Sequence, residues 1–139
     1  MKPVVQLEPT GCGIASAAAI AGVSYPPAQH AAAALAISAD APRLWSDAIH
    51  MRALLRRLGY RAEPGEQPFT SWKWLPGLAL LAIKWRAEQG VPRWHWVVFV
   101  RDATSPRVLD SRRGLKSNVR TDFGRMKPRW FIPVRRQGC

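Results

Sequence analysis

Apolar positions in this chain change their spacing near residue 78. Before it they recur at helical intervals or lie in alanine-rich runs; after it they form short blocks of strand length. The clearest helical pattern runs from Trp45 to Leu58, where Trp45, Ile49, Leu54, Leu55 and Leu58 recur on one side. Arg52, Arg56 and Arg57 fall mainly elsewhere, and Gly59 stands at the C-cap position. A second helix is expected from about Cys12 to Ala21, ended by Gly22. Its small residues Ala15, Ala17, Ala18 and Ala19 suit a central helix that neighbours approach closely. Pro26-Pro27 suits the start of another over Ala28 to Ile37, and residues 38–43 read as a loop.

The second half reads as strands. Tyr60 to Ala62 is long enough for a short one, and Leu78 to Trp85 (LALLAIKW) is an apolar run of strand length. EQGVPR connects it to the strongly β-prone Trp94 to Val100, followed by Arg107 to Leu109. Trp130 to Val134 is a last strand, expected at a sheet edge because of Pro133. Between the halves, EPGEQPFTSWKWLPG is rich in turn residues, and its aromatics make it a candidate groove wall. Helices first and strands afterwards predict an α+β domain over residues 1–139, with a helical layer on an antiparallel sheet.

Composition narrows the setting. A chain of 139 residues with 47% hydrophobic content can bury a substantial core as one domain. No apolar run reaches the roughly 18–20 residues of a membrane span, and the N-terminus lacks the pattern of a signal peptide. A cytoplasmic protein is the expectation. The net charge of +12 has two readings: a solvated basic surface, or a preference for acidic partners such as an anionic substrate, a membrane surface or nucleic acid. No zinc-finger spacing or RNA-binding signature accompanies it, so nucleic acid is not favoured. The histidines and cysteines offer no metal-ligand spacing either, and no metal or other cofactor is expected. Cys139 is the second of two cysteines and is read as incidental and free.

The candidate chemistry centres on QLEPTGCGIASAAA. A turn at Pro9-Thr10-Gly11 delivers Cys12 to a helix start that Thr10 is placed to cap; Gly11 and Gly13 allow close approach in front of the sulfur. Unpaired N–H groups and the positive end of the helix dipole favour thiolate over thiol there. His95 opens the strand WHWVVFV, and Asp110 closes RVLDS. Alternation puts His95, Val97 and Phe99 on one face of that strand, from which the imidazole would point toward the Cys12 helix. Asp102 competes with Asp110 but lies in a turn-like stretch. Seven tryptophans are many for this length; Trp72, Trp74 and Trp94 are candidates for substrate contact.

The ordered set Gln6, Cys12, His95 and Asp110 resembles the papain-like cysteine peptidases. Within them it looks closest to the compact bacterial domains related to the double-glycine leader peptidases, which trim bacteriocin-type precursors. The matched segments are Gln6 to about Ala21 and about Leu78 to Asp110. The resemblance implies a papain-like fold in which Cys12 is the nucleophile, His95 the proton carrier and Asp110 its orienting acid. It also implies that Gln6 donates its amide to the oxyanion with the Cys12 N–H, and that Gly11 lies beside the substrate. Relatives of the leader-processing type cleave after a Gly-Gly pair, commonly fused to an ATP-driven exporter for which 139 residues leave no room. Two alternatives use the same sequence differently. One is a papain-like amidase or acyltransferase; the other is a catalytically idle basic module that binds an acidic protein or nucleic acid.

Overall fold

The computed structural model describes residues 1–38, 48–103 and 105–138. The expectations for Trp45, for most of the 38–43 loop and for Cys139 lie outside them. Three helices come first: α1 (Cys12–Ala21), α2 (Tyr25–Ala34) and α3 (Ile49–Arg57). They pack on one face of an open sheet built from β1 (Tyr60–Ala62), β2 (Gln67–Pro68), β3 (Leu78–Glu88), β4 (Val91–Arg101), β5 (Pro106–Leu109), β6 (Val119–Arg120) and β7 (Trp130–Arg136). All pairings are antiparallel, in the order β1-β7-β3-β4-β5-β6, with β2 also on β7. The α+β architecture, with N-terminal helices on a later antiparallel sheet, is as the hydrophobic pattern predicts.

Helix α1 is the centre of the helical layer. Every residue from Cys12 to Ile20 is buried, because alanine side chains leave room for α2, α3 and β4 to close on it from different sides. Gly22 ends it at φ 73°, in the left-handed region that favours glycine. At the other end the N-cap is Gly11, with no side-chain cap, so Thr10 does not cap the helix. Helix α2 begins at Tyr25, with its prolines in the first turn where a missing N–H costs no helical bond, and stops at Ala34. In α3 the buried stripe is Met51, Leu54 and Leu55. That stripe leaves Ile49, two residues before Met51, on the opposite side and 65% exposed, contrary to the sequence expectation.

Both sheet faces are covered. Trp94, Trp96, Val98, Val100, Leu80 and Ala82 face the helices, with Ile132 and Val134 beside them. Leu81, Ile83, Val97, Phe99 and Phe131 form a second core with Leu75 and Met126, against a 3-10 turn (Trp72–Trp74) and the short helix α4 (Phe123–Met126). Strands β3 and β4 form one long hairpin, turning at Gln89-Gly90, where both residues have positive φ. EQGVPR is therefore strand and turn rather than a connection. Strand β7 lies between β1 and β3, not at an edge. Pro133 is tolerated because its missing N–H faces the side on which β1 has just ended at Ala62; the Glu63 N–H still reaches the Pro133 carbonyl at 2.9 Å.

Candidate functional site

The β3–β4 ladder breaks at one place. Ile83 pairs with His95 and Arg86 with Arg93, so Lys84 and Trp85 oppose Trp94 alone. Lys84 takes the left-handed conformation, φ 54°, that such a bulge ordinarily gives to glycine. A bulge raises local twist and re-aims neighbouring side chains. This matters for His95, whose strand-mates Val97 and Phe99 face the second core, away from α1. Simple alternation thus assigned α1 to the wrong face of β4. His95 nevertheless lines the same cleft as Cys12, which stands at the N-terminal tip of α1.

His95 Nε2 lies 2.7 Å from Asp110 Oδ1. Cys12 lines the same cleft as His95; with Nε2 committed to Asp110, Nδ1 is the ring nitrogen left for another partner. Burial alone would lower the pKa of His95. The hydrogen bond to Asp110 and the influence of neighbouring Cys12, with the negative charge each can carry, outweigh burial and raise it to about 9. Asp110 is fully buried. Burial pushes its carboxyl up, but His95, the Arg112 backbone N–H and Arg120 together hold it well below the usual carboxylate range. Oδ1 also accepts from Arg112 N at 3.0 Å, and Oδ2 accepts from Arg120 Nη1 at 3.0 Å. Asn118 holds the Asp110 backbone from both sides, with Nδ2 donating to its carbonyl and the Asn118 carbonyl accepting its N–H.

Arg120 was not foreseen in the sequence. It sits opposite Val108 in the β5–β6 pair and is held by Asp122 through Nε and Nη2. Only the register of two short strands brings it to Asp110, and nothing in SNVRTD signals that register. Asp102 instead pairs with Arg107 at an exposed hairpin end.

Gln6 is buried beside this group. Its Nε2 donates to the carbonyls of Glu8 at 3.0 Å and Pro9 at 2.8 Å, and its Oε1 accepts from Ser111 Oγ. Both amide hydrogens are thereby engaged in holding the loop that precedes Cys12. The Cys12 backbone N–H, at the first position of α1, has no hydrogen-bond partner among the described residues.

Gly11 has an ordinary φ of −89°, and its need is for space: a Cβ there would stand 2.2 Å from the Tyr25 hydroxyl. That hydroxyl donates to Glu8 Oε1 at 2.5 Å beneath the loop. Burial and this bond raise the phenol's pKa.

A cleft of about 320 Å³ opens over these residues. The N-terminal loop contributes Gln6, Pro9 and Thr10, the start of α1 contributes Cys12, and β4 contributes Trp94 and His95. Of the other residues read as substrate contacts, Gly11 does not line it. Trp72 packs against Phe69, Phe99 and Phe123 on the far side of the sheet. Trp74 is 71% exposed, with Lys73 over its ring, and is also outside the cleft. Among the described residues, no group of three or more His, Cys, Asp or Glu side chains is arranged to hold a metal, and no helix is long and apolar enough to cross a membrane.

No protein-family model matches this chain, and no curated protein sequence matches it.

Proposed function

We propose that this chain is a papain-like cysteine hydrolase acting on peptide bonds. One observation supports the reading: a single imidazole is bonded to a buried, depressed-pKa carboxylate and shares a cleft with a cysteine at a helix N-terminus. Such an arrangement supports a thiolate–imidazolium pair, with Asp110 keeping the ring oriented and charged.

In this reading the Cys12 thiolate attacks the carbonyl carbon, and the C–O π pair becomes an oxyanion. The free Cys12 N–H is one donor to that oxyanion. Gln6 becomes a second by giving up one of its loop carbonyls; in the resting arrangement it positions the loop. The tetrahedral intermediate collapses, the C–N bond breaks, and His95 delivers the Nδ1 proton to the departing amine. His95, now neutral, takes a proton from water as the water attacks the thioester. The acid product leaves, and the thiolate–imidazolium pair is restored. Leader-peptide processing, the activity of the relatives that the sequence resembles, is one activity within this class.

The test is a mixed peptide library read by mass spectrometry, with wild type, Cys12→Ala and His95→Ala. New termini from wild type alone, with a thioester adduct trapped on Cys12, support the reading. Equal cleavage by all three, or none by any, removes it.

A further inference from the structure

The cleft over Cys12 is bordered by four cations, Lys84, Arg86, Arg93 and Arg112, and no carboxylate among the described residues lines it. Two of them have a carboxylate close by: Arg86 and Arg93 both pair with Glu88. Glu8, the acid in the N-terminal loop, is turned to Tyr25 and Gln29. Lys84 and Arg112 differ from the other two. No ion pair or hydrogen bond holds either side-chain cation among the described residues.

Their placement is specific. Lys84 occupies the left-handed bulge position where a side chain is disfavoured, a local cost of the kind retained at binding sites. It stands among like charges: burial and the neighbouring Arg112, Arg120 and Arg86 lower its pKa against the opposing pull of Asp110. Lys84 and Arg112 also line a second cleft of about 420 Å³ that continues past Lys116 and the Arg120–Asp122 pair. A bound chain can therefore run from the thiol between these two cations and onward.

We propose that the cleft selects an acidic peptide, with a substrate Asp or Glu carboxylate seated between Lys84 and Arg112 next to the scissile bond. This deepens the hydrolase reading and rests on it. An internal acidic residue fits better than a C-terminal carboxylate, because the second cleft leaves room for the chain to continue. The anion relieves the crowding of positive charge that the free protein carries there.

The experiment uses the full chain in a Cys139→Ser background and has two readouts. The first is the ratio of Cys12 alkylation rates with iodoacetate, an anion, and iodoacetamide, its neutral counterpart. In Lys84→Glu/Arg112→Glu that ratio should fall about 10-fold, and the wild-type ratio should fall with added salt. A ratio unchanged by charge reversal overturns the proposal. The single changes Lys84→Gln and Arg112→Gln, each expected to lower the ratio about threefold, decide it if the double variant does not fold.

The second readout is cleavage of peptide pairs that differ only by Glu or Gln beside the scissile bond, with a third set ending in that carboxylate. Preference for the internal Glu peptide supports the assignment. Equal cleavage of Glu and Gln peptides overturns it and leaves the hydrolase reading intact. Preference for the terminal carboxylate overturns the internal placement. A charge-dependent alkylation ratio with no cleavage of any peptide removes the hydrolase reading while the anion site stands. Tighter competition by a single-stranded oligonucleotide than by the acidic peptide overturns the peptide as occupant.

Discussion

Gln6 and Ser111, 105 positions apart in sequence, are joined twice: the Gln6 backbone N–H donates to the Ser111 carbonyl at 3.0 Å, and the Ser111 hydroxyl donates to Gln6 Oε1 at 2.9 Å. The segment before Cys12 is thus tied to the segment after Asp110. Gln6→Ala removes the Ser111 acceptor and both bonds to the Glu8 and Pro9 carbonyls. It should cost about 1–3 kcal/mol in urea unfolding. It should also speed hydrogen exchange at the Gly11 N–H, which donates to Glu8. Wild-type protection at Gly11 would count against this brace.

Gly11 and Tyr25 should couple strongly. Gly11→Ala drives a methyl into the Tyr25 hydroxyl and is expected to destabilise by about 1–3 kcal/mol. Tyr25→Phe removes the clashing atom, leaving the ring carbon 3.1 Å from the new Cβ. The double variant should therefore be more stable than the sum of the two single losses predicts, in a double-mutant cycle by urea denaturation. Additive losses would show that something other than this contact sets the requirement for glycine.

The pH dependence follows from two opposite shifts. The folded pKa of His95 is raised to about 9, so its contribution is complete below the unfolded value of about 6.5 and is lost as pH rises through 9. Asp110 is depressed, so its contribution is complete above its unfolded value of about 3.9 and is lost as pH falls toward its folded value. The pair is fully stabilising between about pH 4 and 6.5. The stability gap between wild type and His95→Ala should narrow on the order of 3 kcal/mol from pH 6 to pH 10. A gap that is flat with pH would refute the imidazolium. Any activity that uses His95 as an acid should likewise decline above pH 9.

Asp110→Asn keeps the shape but removes the charge shared by His95 and Arg120. The loss expected is about 3 kcal/mol, moderated because Arg120 retains Asp122. In an NMR titration the His95 midpoint should drop from about 9 to the ordinary histidine range or below, since burial remains. A midpoint still near 9 would mean that Cys12 alone supports the charge.

Lys84→Gly should stabilise the protein by about 1 kcal/mol, because glycine adopts φ 54° without the penalty an L side chain meets. Urea unfolding measures it. A loss of stability would mean that the Lys84 side chain contributes to folding as well as charging the cleft.

How much of this was legible depended on how local the cause was. Cys12 and Asp110 could be placed because one begins α1 and the other follows the last residue of β5, ends that their own neighbours specify; His95 lies within β4, which begins earlier than its sequence suggests. The direction of His95 could not be read, because it rests on a bulge in the opposite strand, and Lys84 there carries no glycine to announce it. Arg120 was hidden for a related reason: its meeting with Asp110 depends on the β5–β6 register. The second core was written in LALLAI and WVVFV, unbroken apolar runs of the kind that signals strands covered on both faces. Pro133 misled because its neighbour β1 ends just where the missing N–H would have needed a partner.

Strand β7 is the seam that joins β1 and β2 to the β3–β4 hairpin. A chain interrupted before residue 130 would expose the backbone of β3 along Ala79 to Ala82, and that of β1, as unpaired edges. The residues around Cys12 would all be present in such a fragment. Its expected fate is self-association through those edges, so a truncation there would be lost from solution as aggregate.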